Sequence, residues 1–279
     1  MRYIAVGVLA LVCVGIWSVA LAEAPTEGKG YLTFAVLDVG QGDALYIEGP
    51  TGLQILIDGG AGSAVLRSLP EVMSFADRSL DAVIGTHPDA DHIGGFVEVF
   101  PRYEVATYIE PGILKDTATA KKVLALVREE GAKHIVARKG MTIDLDGGAV
   151  LEVLYPDRDV TYLGGDKANE GGIVMRLTYG ETCALLMADV SSAIENKISE
   201  NVNCEVLKVG HHGSRFSTSH SFVQKVSPEI ALISVGKNSY GHPTEQVLSV
   251  LRTYNVEIFR TDQHGTVRCI SDKVQFTCE

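Results

Sequence analysis

Four side chains able to bind a divalent cation fall within six residues of this chain, His87-Pro88-Asp89-Ala90-Asp91-His92, and Ile93-Gly94-Gly95 follows. They come directly after Leu80-Asp81-Ala82-Val83-Ile84-Gly85, an apolar run that predicts a buried strand. That placement constrains the fold. Imidazoles and carboxylates this close together attract cations and need a rigid strand end to hold them. Over six residues alone, an acidic turn with two incidental histidines would look the same. The pair His211-His212 downstream favours a chain built to bring two ligand clusters together.

The order of elements says what kind of scaffold that is. Strands are predicted over 31–39, 44–48 and 53–57, the last two joined by the turn Gly49-Pro50-Thr51-Gly52. A helix is expected over 64–75, a strand over 80–86 and a helix over 92–100. Strand 105–109, helix 118–130, with Leu124 and Val127 on one face, and strand 134–137 complete the first half. The second half repeats the logic. Two short strands lie within 141–155, a hairpin spans 173–178 and 182–187, and strand–helix units follow, with helices at 192–200 and 245–254 and strands at 205–209, 230–235 and 256–260. A last hairpin ends the chain. Two mixed sheets face to face with helices outside, an α+β four-layer αββα sandwich, satisfy this order in one domain.

Composition adds the compartment. Arg2, the apolar run Tyr3 to Leu21 and Ala20-Leu21-Ala22 predict a secretory signal over 1–22, or an uncleaved anchor, then a polar linker over 23–30 and the folded domain over 31–279. The expected location is secreted or otherwise extracytoplasmic, with no membrane domain beyond that segment. Four of the five cysteines lie outside the signal, an even number for an oxidising compartment. Pairs Cys183–Cys204 and Cys269–Cys278 are expected, although spacing leaves other pairings and free thiols open. The net charge of −11 argues against broad, salt-driven nucleic-acid binding, but not against an enzyme whose metals offset its carboxylates.

Four motifs in order resemble one family. His87-x-Asp89-x-Asp91-His92 resembles the His-x-His-x-Asp-His signature of the metallo-β-lactamase superfamily, with Asp89 where a second His is usual. Leu37-Asp38-Val39-Gly40-Gln41-Gly42-Asp43, Leu207-Lys208-Val209-Gly210-His211-His212-Gly213-Ser214, and Ser234-Val235-Gly236-Lys237-Asn238 with Tyr240-Gly241-His242-Pro243 narrow it. Together they look like the hydrolase domain of the DNA-uptake protein ComEC, here as a stand-alone secreted relative. The resemblance implies the αββα fold, two divalent ions (zinc or manganese) at one edge, and hydrolysis of a phosphodiester, with DNA as the proposed substrate.

A two-metal hydrolase places two cations about 3.5–4 Å apart around a bridging carboxylate and a metal-bound hydroxide. The expected first site takes His87 and Asp89, the second Asp91 and His92, with Asp189 as bridge. Asp189 could instead cap a helix at Ser192. One of His211 and His212 would close the second site and the other would protonate the leaving oxygen or hold the phosphate; His242 is a further catalytic candidate. Adjacent residues of an extended strand face opposite ways, so both histidines reach inward only from a loop. The family's usual extra His is missing, and Asn169 stands in the matching region. That leaves an oxygen-rich first site that suits manganese at least as well as zinc. Asp38, Gln41, Asp43, Asp58 and Ser214 are expected to line the site or bond its ligands, with Lys237 and Asn238 near the phosphate; for His242, Lys237 and Asn238 a surface turn in which Pro243 starts a helix is an equal reading. A plain glycine turn around Asp38–Asp43 is the competing reading. His134, His220 and His264 carry no functional case.

Two other functions compete with a nuclease. One is a hydrolase of a small phosphodiester of the phosphorylcholine type, a lactone or a β-lactam. The other is a non-catalytic binding module, which the complete ligand set argues against. The sequence names no protein partner and no oligomeric state.

Overall fold

The computed structural model describes residues 30–279; the expected signal and linker over 1–29 lie outside them. The strands are β1 (Leu32–Val36), β2 (Leu45–Glu48), β3 (Gln54–Ile57), β4 (Ser79–Ile84), β5 (Glu104–Glu110), β6 (Lys133–Val136), β7 (Thr142–Asp144) and β8 (Ala149–Tyr155). They continue as β9 (Val174–Tyr179), β10 (Thr182–Leu186), β11 (Val206–Lys208), β12 (Ile230–Ile233), β13 (Glu257–Arg260), β14 (Val267–Ser271) and β15 (Phe276–Cys278). The α-helices are α1 (Val65–Ser68), α2 (Ala90–Ile93), α3 (Phe96–Val99), α4 (Ala118–Glu130), α5 (Ser192–Glu195), α6 (His220–Val226), α7 (Glu245–Thr253) and α8 (Thr261–His264).

Two mixed sheets result, ordered β15-β14-β1-β2-β3-β4-β5-β6 and β13-β12-β11-β10-β9-β8-β7. Their facing sides supply one apolar core, including Phe34, Ile47, Ile57, Leu151, Leu177, Leu186 and Leu232. Each outer side is covered by helices: Phe96, Val123 and Val127 pack on the first sheet, and Phe222, Val247 and Leu251 on the second. This is the αββα sandwich. Among the described residues no helix is long and apolar enough to cross a membrane.

Helix α4 shows the local logic. The Thr117 side chain accepts the Ala120 N–H at its start, and Gly131, at φ 73°, ends it in the left-handed region. Its buried face is Ala120, Val123, Leu126 and Val127; burying each of the larger three is worth about 1.5–3 kcal/mol. Leu124 lies only at the edge of that face.

Three helices are shorter than the sequence pattern predicts. The stretch 64–75 gives only α1 and a single 3-10 turn, Leu69–Glu71, with Pro70 at its start. The helix expected over 192–200 stops at Glu195, with Asn196 as its C-cap. The helix expected over 92–100 is cut into α2 and α3 at Gly94-Gly95. The last break has a packing cause. A Cβ on Gly95 would lie 1.9 Å from the Gly59 carbonyl oxygen, so only glycine lets the turn after β3 seat against this bend. Backbone bonds from Gly59 N–H to the His92 carbonyl (2.6 Å) and from Gly95 N–H to the Gly60 carbonyl (2.8 Å) lock it.

Strands β3, β4 and β5 run parallel, as do β10, β11, β12 and β13. Their carboxyl ends therefore deliver their loops to one edge, where open α/β sheets place their sites. The β10–β11 register pairs Ala184 with Val206, which puts Cys183 beside Cys204; these are bonded, and so are Cys269 and Cys278 across β14–β15.

Candidate metal centre

Each sheet contributes half of the site. From the first sheet, β3 leads directly into Asp58 and β4, past Gly85, into Thr86-His87, after which α2 presents Asp91 and His92. Asp58 is fully buried at φ 57° and bonds in three directions. Its Oδ1 accepts the Thr86 N–H at 2.8 Å, and its Oδ2 accepts the Thr86 hydroxyl at 2.6 Å and faces His92 Nδ1 at 2.8 Å. The carboxylate thus fixes the Nδ1–H tautomer of His92 and aims Nε2 into the site.

From the second sheet, β10 leads to Asp189 and β11 to His211-His212. Asp189 does not cap α5; Ser191 occupies that position. Instead its Oδ2 lies 3.3 Å from His92 Nε2, 3.3 Å from His212 Nε2 and 3.7 Å from His211 Nε2. Both histidines point inward because the strand has ended: His211 and His212 sit at φ 51° and 53°, in the left-handed region, within a 3-10 turn, Gly210–Gly213. His212 is buried, its Nε2 3.7 Å from Asp91 Oδ2. His211 is at the mouth, a quarter exposed, beside the Asn169 amide at 3.5 Å and the His242 ring at 5.5 Å.

His212 is held from behind. Its Nδ1 faces the Ser234 carbonyl at 3.0 Å and Asp43 Oδ1 at 3.2 Å, while Asp43 Oδ2 accepts from Lys208 Nζ at 2.7 Å. Lys208 and Asp43 are both buried. Burial alone would raise Asp43, but Lys208 and His212 hold it well below the usual carboxylate range. Asp43 reaches this place because Gly42, at φ 125°, lies flat on the Asp91 carbonyl; a Cβ there would fall 2.1 Å from that oxygen.

The electrostatics of the metal-free cluster follow from this crowding. Burial and the neighbouring His92 push His87 down to about 4. Burial also opposes charge on His92 and His212, yet Asp189 with Asp58, and Asp189 with Asp43, hold them well above the ordinary imidazole value. Asp189 lies correspondingly low despite burial, through His212 and His92. The His87, His92 and His212 Nε2 atoms, with Asp189 Oδ1, are buried and lack hydrogen-bond partners. Four sets of three residues have ligand atoms close enough to share a cation: His87-His92-Asp189 and Asp91-His92-His212, and, behind them, Asp43-Asp58-His92 and Asp43-Asp189-His212. Buried, unpaired nitrogen and carboxylate donors facing one space fit divalent metal.

Other expected residues lie elsewhere. Asp89 is outside those sets: it occupies the N-cap of α2, but its Oδ1 pairs with Lys115 Nζ at 2.5 Å. Asp38 is exposed and folds back on the Gly40 N–H, and Gln41 Oε1 accepts from the Gly236 N–H at 3.4 Å. The Asn238 amide is spent inside its own loop, on the Gly236 and His242 carbonyls and the His242 N–H. Ser214 is buried and accepts the Phe216 N–H; Lys237 is exposed. His242 stacks under Tyr240, and burial with His211 and His212 lowers its pKa. Sequence reasoning missed Thr86, Lys115, Lys208 and the Ser234 carbonyl. Only Lys208 carried a signal, a lone cation in the apolar run Val206-Leu207-Lys208-Val209.

A strand-end cluster of three buried imidazoles and shared carboxylates at one edge of an αββα sandwich defines a metal-dependent hydrolase fold. A profile described as the metallo-beta-lactamase superfamily matches residues 37–237, and the chain belongs to that superfamily. Among relatives, it is 31% identical over 258 residues to ComE operon protein 3 of Bacillus subtilis (84% of this chain, 32% of that protein). It is 28% identical over 253 residues to competence protein ComA of Neisseria gonorrhoeae (88% and 33%). The chain thus spans about a third of the length of these ComEC-like relatives. Among solved structures, YhfI of Bacillus subtilis, a metallo-beta-lactamase fold protein, superposes with a TM-score of 0.58 at 14% identity (85% of this chain, 98% of that one). Igni18 of Ignicoccus hospitalis, a metallo hydrolase, gives 0.56 at 16% (85% and 98%).

Proposed function

We propose that this chain is an extracytoplasmic phosphodiesterase that cleaves nucleic acid with the help of two divalent ions. The observation that carries the reading is Asp189: its carboxylate lies within ligand reach of His87 and His92 on one side and of His212 on the other, the placement of a bridging ligand. His87 would serve one ion, Asp91, His92 and His212 the other, and Asp189 both. Bound there, the ions would neutralise phosphate charge and activate water. The chain's own contribution is orientation and proton handling. Asp58 keeps the His92 proton on Nδ1, and the Ser234 carbonyl, with Asp43 beside it, keeps that of His212 there, so that their Nε2 lone pairs face inward. His211, a quarter exposed at the mouth of the site, is placed to touch the substrate or its leaving oxygen. His242, kept neutral by burial and by the neighbouring histidines, suits accepting a hydrogen bond better than donating a proton. The relatives' names, which speak of competence and recombination, support a DNA substrate, and the apolar stretch over 3–21 supports export.

The test pairs metal analysis with turnover. The protein as purified should contain manganese or zinc, and with either metal it should cleave bis-p-nitrophenyl phosphate and DNA. Asp189→Ala should abolish both properties. Turnover of nitrocefin with no phosphodiester cleavage would redirect the reading to the lactamase class.

A further inference from the structure

Lys115 stands where the metal motif meets a cavity. Its ammonium group rests on Asp89, two residues from both His87 and Asp91. It also lines a cavity of about 350 Å³ walled by Pro88, Ile113, Leu114 and Leu124. The other cation on that wall, Lys121, is paired with Asp116. The loop carrying Lys115 is anchored at three points: Arg138 donates to the Pro111 carbonyl at 2.7 Å, Gly112 N–H to Glu110 Oε2 at 2.7 Å, and Leu114 N–H to the Thr161 carbonyl at 3.2 Å. The side chain can therefore move while its backbone stays.

We propose that Lys115 is an exchangeable counter-ion: it occupies Asp89 in the metal-free protein, yields that carboxylate to the ion beside His87, and then binds the phosphate of the substrate. The proposal rests on the phosphodiesterase reading and deepens it. Asp89 leaves the α2 N–H groups uncapped, so its carboxylate is free for a cation. A divalent ion attracts a carboxylate more strongly than an ammonium at the same distance. The released ammonium, on a flexible stem, is a point charge suited to phosphate. The apolar cavity behind it takes the non-reacting part of the ester.

The exchange predicts effects of opposite sign. Lys115→Met removes a competitor for Asp89, so manganese affinity, read by chelator competition on the full chain, should rise about two- to fivefold, the scale of a partly exposed ion pair. The same variant saturated with manganese should bind inorganic phosphate about tenfold more weakly, the loss of one charged hydrogen bond. Lys115→Arg should retain most phosphate binding. Adding Asp89→Asn to Lys115→Met should erase the gain in metal affinity. Unchanged or weaker metal binding by Lys115→Met would overturn the exchange and leave Lys115 a support for Asp89; unchanged phosphate binding would overturn its substrate role. Both are binding measurements. Failure of the underlying reading shows separately, as absence of phosphodiester cleavage by the manganese-loaded wild type.

Discussion

Asp58→Asn tests how the centre is held, because it changes a single atom type at a fully buried position. Asparagine tolerates the left-handed conformation that Asp58 adopts at φ 57°, so the turn itself survives. The hydrogen bonds do not. In one amide orientation the NH2 meets His92 Nδ1 and the Thr86 hydroxyl, and the imidazole proton is driven to Nε2, where a metal would bind. Loss of such an orienting carboxylate costs about 10- to 100-fold in metal affinity. In the other orientation His92 keeps its acceptor, but the NH2 faces the Thr86 N–H, leaving a buried donor unsatisfied at about 1–3 kcal/mol. At about 2–4 °C per kcal/mol for a domain near this size, that is a Tm loss of roughly 2–12 °C. Manganese affinity by chelator competition and Tm by calorimetry of the metal-free protein are to be measured together. Wild-type values in both assays would refute the claim that Asp58 sets the His92 tautomer.

Three further outcomes follow from the same geometry. Gly42→Ala, whose Cβ would strike the Asp91 carbonyl at 2.1 Å, should displace Asp91 and lower both stability and metal affinity, by calorimetry and metal titration. Lys208→Met should cost about 3–5 kcal/mol by leaving the buried Asp43 carboxylate without its lysine partner, with only His212 beside it, and adding Asp43→Asn should recover much of it in urea melts. Burial raises Glu195 from 4.5 to about 7, so the folded state binds its proton more tightly than the unfolded state. Stability should therefore be higher at acid pH and fall by up to about 3 kcal/mol as pH rises from 4.5 to 7, and the difference between wild type and Glu195→Gln in urea melts should isolate this slope.

The fold was legible because its pattern is local. Alternating and continuous apolar runs marked the strands, and the strand-end position of His87–His92 followed from them. Helix lengths were overestimated where tertiary packing overrode periodicity: Gly94-Gly95 breaks a helical pattern because the Asp58-Gly59-Gly60 turn must fit against it. The site was readable where its ligands are contiguous. Asp189 stood out as an acid at the end of an apolar strand, but its three imidazole neighbours come from loops 97 residues or less away only once the sheets pack. The support of His212 was not readable. Asp43 and Lys208 lie 165 residues apart, and a lysine in a strand gives no sign of being buried until the facing sheet brings its carboxylate. Asp89 shows the opposite limit: its place in the motif was plain, but the pairing with Lys115 depends on a loop that has no pattern of its own.

The division of the centre between two sheets also sets when it can exist. The first sheet carries Asp58, His87, Asp91 and His92, whereas Asp189, Lys208 and His212 arrive with the second. Taken from its N-terminus, the chain has only the first sheet's donors until residue 212 has joined them. The free edge of β1 then waits for β14, which pairs Val36 with Val267 and Leu32 with Ser271. Assembly of the centre is thus a late event in the life of each molecule, and a chain interrupted earlier carries loose ligands but no working pocket.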